Sequence, residues 1–359
     1  MSATLLSKTT AHSPSKPQGS AITLWRVVIG ALAVVTTIVV IVAFISGFAY
    51  QSRPFLGAMV SGTQVVNGGV SVSDTPWVGR AAGLRAGDHI ISVNGISLAD
   101  ESFSSAEAIL NEQLQQSRDT SLTLVLERPA STTPGQICGE TLANGNYRCE
   151  VELTPMQLPD VDFLSYILLP VGSAFVMLLI GYAILFYRND KPEGLIGAAI
   201  AFLSSIFAAG IFNTGTDGLL APIWLMAGPW LGASMVTLGL TFPKRLQLVR
   251  TMPLLEYLPL IAATVGGLAL VYIQLFPSTP WAPLTAHQAS TFATSSGVIL
   301  LVGLMFLQRQ NANTPVTRDQ SNTVLIGAMM VLVPGILWII SRSAVIFLDI
   351  NIVLNLESL

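Results

Sequence analysis

Long apolar runs almost free of charge dominate this chain and leave it few ways to fold. Crossing roughly 30 Å of hydrocarbon takes about 20 apolar residues in a helix. Runs of that order occur at residues 24–49, 163–187, 194–213, 218–242, 254–276, 291–308 and 323–347. In lipid every backbone polar group needs a partner inside the protein, so runs of this kind form helices. Composition agrees: 52% of the 359 residues are hydrophobic and only 10% are charged, against about 25% charged in an average soluble domain. The sequence predicts a multi-span α-helical membrane protein with seven crossings, whose main partner is the lipid bilayer. The run at 24–49 is too long for a signal-peptide core and lacks a small-residue cleavage site, so it reads as a retained anchor. Residues 1–20, rich in Ser, Thr, Pro and Lys without periodicity, read as a disordered cytoplasmic tail.

Orientation follows from the basic residues, because short loops rich in Lys and Arg stay on the cytoplasmic side. Arg188 and Lys191 share one loop, Lys244, Arg245 and Arg250 the second after it, and Arg309 and Arg318 the fourth. The intervening loops NTGTDG and FPSTPWAPLTAHQAS carry no Lys or Arg, and only Arg342 breaks the alternation. Lys8, Lys16 and Arg26 place the amino terminus inside, so residues 50–160 face outward from a cell membrane. Seven crossings put residues 348–359 outside too, an outward tail that reads as cut short before an eighth span. A net charge of −3, from 17 Lys and Arg against 20 Asp and Glu, supplies no basic patch for nucleic acid.

In the outward segment the hydrophobic period changes to two. SLTLVLER (121–128) and YRCEVELTP (147–155) alternate, the second with Tyr147, Cys149, Val151 and Leu153 on one face, as half-buried strands do. Between them and HIISVNG lies SSAEAILNEQLQQ (104–116), where Ala106, Ile109, Leu110 and Leu114 form an apolar helix face and Ser104 with Glu107 fits a capping box. Gly83, Gly87, Asp88, Asn94 and Gly95 are turn residues. Cys138 and Cys149 both fall outside the cytoplasm and could pair there; alternatively Cys149 is a buried thiol on its strand's apolar face.

Ala82-Gly83-Leu84, Ala86-Gly87-Asp88 and Ile90-Ile91-Ser92-Val93-Asn94-Gly95 together resemble the core signature of bacterial PDZ domains, over residues 54–155. The resemblance implies an inserted extracytoplasmic α+β domain that binds an extracellular peptide or an envelope protein's C-terminus by strand addition. It places the groove's opening loop in PFLGAMV (54–60), where Phe55, Leu56, Gly57 and Ala58 would offer backbone N–H groups to a carboxylate, and the far wall on the helix with Ala106 and Ile109.

A defensible enzyme site is not legible. His12, His89 and His287 are the only histidines, none in an HExxH motif and none inside an expected span. GASM (232–235) resembles the nucleophile stretch of rhomboid proteases, but without a histidine base nearby Ser234 reads as a packing residue. No catalytic residue, metal ligand or cofactor is expected. The expected spans lack acidic residues at their middles, which argues against an ion pathway. Pro334-Gly335 would kink the last span.

Phe242-Pro243 with the basic stretch after it, and TPVTRDQSNTVLIG (314–327) preceded by Arg309, resemble the membrane portions of bacterial sensor histidine kinases of the competence and quorum-sensing type. That resemblance implies that residues 163–347 form a six-helix sensor region of a two-component system, and it leaves a homodimer open. The rival reading is a PDZ adaptor that holds envelope proteins while its helices serve as an anchor.

Overall fold

The computed structural model describes residues 18–330 except 68–74, 100, 102, 131–136, 217, 280 and 313. The first element among the described residues is α1 (Gln18–Gln51), so residues 18–20 of the expected disordered tail are helical. A sheet domain follows: β1 (Met59–Ser61), β2 (Gln64–Asn67), α2 (Val78–Ala81), β3 (His89–Val93), β4 (Ile96–Ser97), α3 (Phe103–Gln116), β5 (Leu122–Arg128), β6 (Cys138–Thr141) and β7 (Tyr147–Leu153). The chain then returns to helices: α4 (Asp160–Phe163), a π turn over Leu164–Leu168, α5 (Leu169–Arg188), α6 (Pro192–Thr214), α7 (Ala221–Thr241), the short α8 (Gln247–Thr251), a 3-10 turn over Pro253–Glu256, α9 (Leu258–Leu275) and α10 (Ala282–Gln310). The π turn stands just before Pro170, whose missing N–H interrupts the helical ladder.

Among the described residues six helices are long and apolar enough to cross a membrane: Thr23–Gln51, Asp160–Arg188, Pro192–Thr214, Ala221–Thr241, Leu258–Leu275 and Ala282–Gln310. The seventh expected run is helical as far as residue 330; its remainder, Pro334-Gly335 and residues 348–359 lie outside the described residues. The sixth helix starts at Ala282, before the expected 291, and so carries His287 in its first turns. The polar residues that ended the apolar run satisfy themselves within the helix. Thr285, Thr291 and Ser295 hydroxyls donate to the carbonyls of Trp281, His287 and Thr291, at 3.2, 3.0 and 2.8 Å.

The bundle is centred on α6 and α7, whose most apolar windows are 56% and 61% buried, against 17% and 22% for α9 and α10. Small residues set the closest approach. A Cβ on Gly232 of α7 would meet the Ala293 carbonyl oxygen of α10, and one on Gly297 would meet the Gly232 backbone. Thr294 Oγ1 donates to Gly228 O at 2.9 Å, and Gln308 Nε2 to Gly239 O at 3.1 Å. Hydroxyl and amide bonds of this kind, with glycines between them, are how apolar helices associate where no hydrophobic drive separates protein from lipid.

The sheet runs β1-β2-β3-β5-β7-β6, antiparallel throughout, with β4 paired to β3 off this path. Alternation in the sequence appears directly as burial: on β7, Cys149, Val151 and Leu153 are buried while Arg148, Glu150 and Glu152 are exposed. The core packs Val65, Ile90, Val93, Leu122, Leu124 and Leu126 against Ala106, Leu110 and Leu114 of α3. α3 begins at Phe103, one residue before the position at which Ser104 was expected to cap it. Cys138 and Cys149, directly opposed on β6 and β7, are joined by a disulfide.

One charged pair lies within this core. Arg128 forks onto Asp88, with Nε and Nη2 donating to Oδ1 and Oδ2 at 2.7 Å each, and both side chains are 1% exposed. Nη2 also donates to Gly83 O at 2.8 Å, and Asp88 Oδ2 accepts the Arg85 N–H at 2.8 Å. Asp88 thus ties the turn before β3 to the end of β5, beyond shaping a bend. Arg128→Met strands the buried carboxylate and should destabilise the sheet domain by about 3–5 kcal/mol. Urea unfolding followed by amide exchange on β3 and β5 measures that loss.

Candidate functional site

A groove of about 320 Å³ separates β1 from α3. Leu56, Ala58 and Val60 form its strand side, and Glu107, Leu110, Asn111 and Leu114 its helix side. Tyr50 and Arg53, where α1 ends, and Thr216, in the connection from α6 to α7, complete the wall. The sheet domain and the spans therefore build it jointly. β1 ends the strand order, so its outer edge is uncovered by any other strand among the described residues. The chain enters β1 through Gly57, at φ +72°, whose α-carbon faces the Val78 and Gly79 backbone so closely that a Cβ there would collide. Only glycine meets both conditions, and α2 thereby braces the groove's mouth.

The residues expected to form the site divide. Leu56 and Ala58 line the groove, whereas Phe55 does not. Its N–H donates to Met156 O at 2.6 Å and its carbonyl accepts from Met156 N at 2.9 Å, so the donor expected to face a carboxylate is already engaged. Ala106 is buried in the domain core and Ile109 packs against that core; neither lines the groove, because the lining face of α3 is rotated onto Glu107, Leu110, Asn111 and Leu114. Gly83, Gly87, Asn94 and Gly95 have positive φ and shape turns. Asn94 also links elements: Oδ1 accepts the Thr123 N–H at 3.0 Å, and Nδ2 donates to Gln113 Oε1 at 3.1 Å.

Tyr50, in the groove's wall, also packs against an aromatic joint that the sequence reading missed. Phe55, Met59, Trp77, Phe163, Ile167 and Phe212 are all buried together. Phe55 meets Trp77 edge to face at 4.8 Å, and Tyr50 meets Phe212 likewise at 5.0 Å. The Trp77 indole donates to Asp162 Oδ2 at 2.8 Å, and Asp162 is fully buried at the start of a span. Trp77, just before α2, and Asp162, in the first turn of a helix, stand 85 residues apart, so no local pattern announces their contact. Arg128 did leave a signal, since it continues the parity of the buried Leu122, Leu124 and Leu126.

A second contact joins domain and spans. Trp281, at the start of α10, donates through Nε1 to Gly87 O at 2.8 Å, and its ring stands 6.3 Å from that of His89. Burial lowers the His89 pKa from its ordinary value, against an opposing pull from the Glu127 charge. The 3.9 Å between His89 Nδ1 and Glu127 Oε2 is too long for a hydrogen bond.

His287 packs edge-on to Trp224 at 5.5 Å; Trp224 stands ten residues before Ser234 on α7, about 15 Å along a helix. Among the described residues no His, Cys, Asp and Glu side chains cluster for a metal ion. Trp77→Phe keeps the ring and removes the donor to Asp162, which should cost about 1.5–3 kcal/mol and raise amide exchange in α4 and β1 while β5 and β7 stay protected. Compared with family models, curated proteins and solved structures, the sequence matches none.

Proposed function

We propose that this chain is a membrane signal-input module. Its sheet domain, acting as a PDZ-like receptor outside the cell, takes an extended peptide or chain end along β1, and the occupant acts on the spans that share the groove. The observation that carries this reading is the composite wall: Tyr50, Arg53 and Thr216 stand in it beside Leu56, Ala58 and Leu110. An edge strand facing a helix across a cleft of mixed polar and apolar lining supports recognition by strand addition, in which main-chain bonds give affinity and the cleft gives specificity. About 320 Å³ accommodates a few side chains, at the small end of ligand sites.

The tethers support coupling. Phe55 and Met156 pair with each other, which joins the strand entering the domain to the strand leaving it. A ligand that prefers one position of this joined pair shifts α1 and α4 together, whereas equal affinity for both positions would shift nothing. An outward domain also fits the basic loops: Arg26 at the far end of α1 donates to Asn189 O at 2.9 Å in the α5–α6 connection, away from the sheet domain. The stretches 242–250 and 309–327, which resemble sensor histidine kinases, support a two-component type of output.

Full-length chain in lipid nanodiscs, panned with a displayed library of C-terminal peptides, should enrich extended binders. Asn111→Trp fills the groove from an exposed position and should weaken the enriched peptides by about tenfold or more, or about 1.4 kcal/mol, without lowering the melting temperature. Equal binding by this variant would refute the groove. Binding that leaves amide exchange at residues 50–54 and 160–168 unchanged would identify an adaptor instead of an input module.

A further inference from the structure

A row of polar side chains crosses the sheet on the face turned away from its core. Direct cross-strand partners share a face, and the register places Ser61 opposite Gln64, Gln64 opposite His89, His89 opposite Glu127, Glu127 opposite Arg148 and Arg148 opposite Glu140. The end of the row nearest His89 is closed off from water. Ser61 and Gln64 are 1% and 2% exposed. Ser61 Oγ, both amide atoms of Gln64 and Nδ1 of His89 are buried without a hydrogen-bond partner among the described residues. Buried polar atoms are normally satisfied, and three adjacent side chains left unsatisfied call for a reason.

The place supplies one. His89 lies beside Trp281, which reaches 194 residues back along the chain to hold Gly87 O. We propose that this row is a proton-sensitive latch. With His89 neutral, the α9–α10 connection stays seated on the sheet domain through Trp281. With His89 protonated, water enters the row, hydrates Ser61 and Gln64, and the connection lifts off.

The groups facing His89 decide the sign. Glu127 favours the imidazolium, but its Oε1 already accepts from Asn144 and Asn146 at 2.7 Å each, and Arg148 stands beyond it in the row. Residues 276–286 of the α9–α10 connection carry no charge. Asp88 and Arg128 neutralise each other in the domain core, and Arg85 shares the Gly87 loop. Burial outweighs Glu127, so the docked His89 titrates below 6.5. The undocked imidazole, in water, titrates near 6.5. The undocked form therefore binds more protons below about pH 6.5: docking is complete above that value and is lost as pH falls from it toward the docked pKa, by at most about tenfold per pH unit.

Amide exchange by mass spectrometry on the full chain in nanodiscs, corrected for the intrinsic effect of pH, tests this between pH 7.5 and 5.5. Wild type should show a severalfold rise in exchange at residues 84–90 and 281–290 while β5 and β7 stay protected. His89→Gln should abolish the rise. Glu127→Gln, which removes the opposing pull, should enlarge it, and this variant keeps the test intact where His89→Gln fails to fold. The latch is overturned by a flat wild-type profile, by a rise that survives His89→Gln, by a smaller rise in Glu127→Gln, or by β5 and β7 loosening together with the joint.

Discussion

The hydrogen bond from the Trp77 indole to the Asp162 carboxylate, set in a cluster of aromatic rings, is the contact on which the rest of the molecule depends. A carboxylate fully buried at the mouth of a membrane helix is costly unless something donates to it. Trp77 does so at 2.8 Å, from the residue just before α2. Because α2 also braces Gly57, that bond sets where the chain turns into β1, and hence where the groove lies relative to α1. Phe55, Phe163 and Phe212 bury their rings around it, so displacing the sheet domain would expose apolar area and take the indole donor from a buried acid together.

Two kinds of packing meet at this joint. Inside the sheet domain, large aliphatic side chains are driven from water and alternate strictly, with the Arg128–Asp88 fork as the exception closed by its own hydrogen bonds. Within the spans lipid offers no such drive, so contact falls to glycine, to hydroxyls returned onto carbonyls, and to Gln308 reaching Gly239. The joint shares features of both, being aromatic, partly polar and crossed by few bonds.

Much of the architecture was legible in advance. The spans, the alternating strands β5 and β7, the apolar face of α3 and the turns at Gly87 and Asn94 follow local rules. The misses have physical causes. The start of α10 was hidden because Thr and Ser lower hydropathy yet complete their hydrogen bonds inside the helix. The groove face of α3 was misread because a helix can bury one stripe and present the next, and the sequence marks only the buried one. Phe55 was assigned a ligand donor that Met156 takes up, a pairing between residues 101 positions apart in sequence.

The amino-acid sequence alone determined that the chain crosses a membrane repeatedly and interrupts its apolar helices with a small β-rich unit, because burial periodicity is written residue by residue. Tertiary structure alone decided how the two are joined. Trp77 with Asp162, and Trp281 with Gly87, meet across 85 and 194 residues, and no periodic pattern encodes a contact between elements so far apart in the chain. The groove inherits that distinction: its strand and helix were readable, but the walls contributed by Tyr50, Arg53 and Thr216 exist only once the sheet domain sits on the ends of the spans.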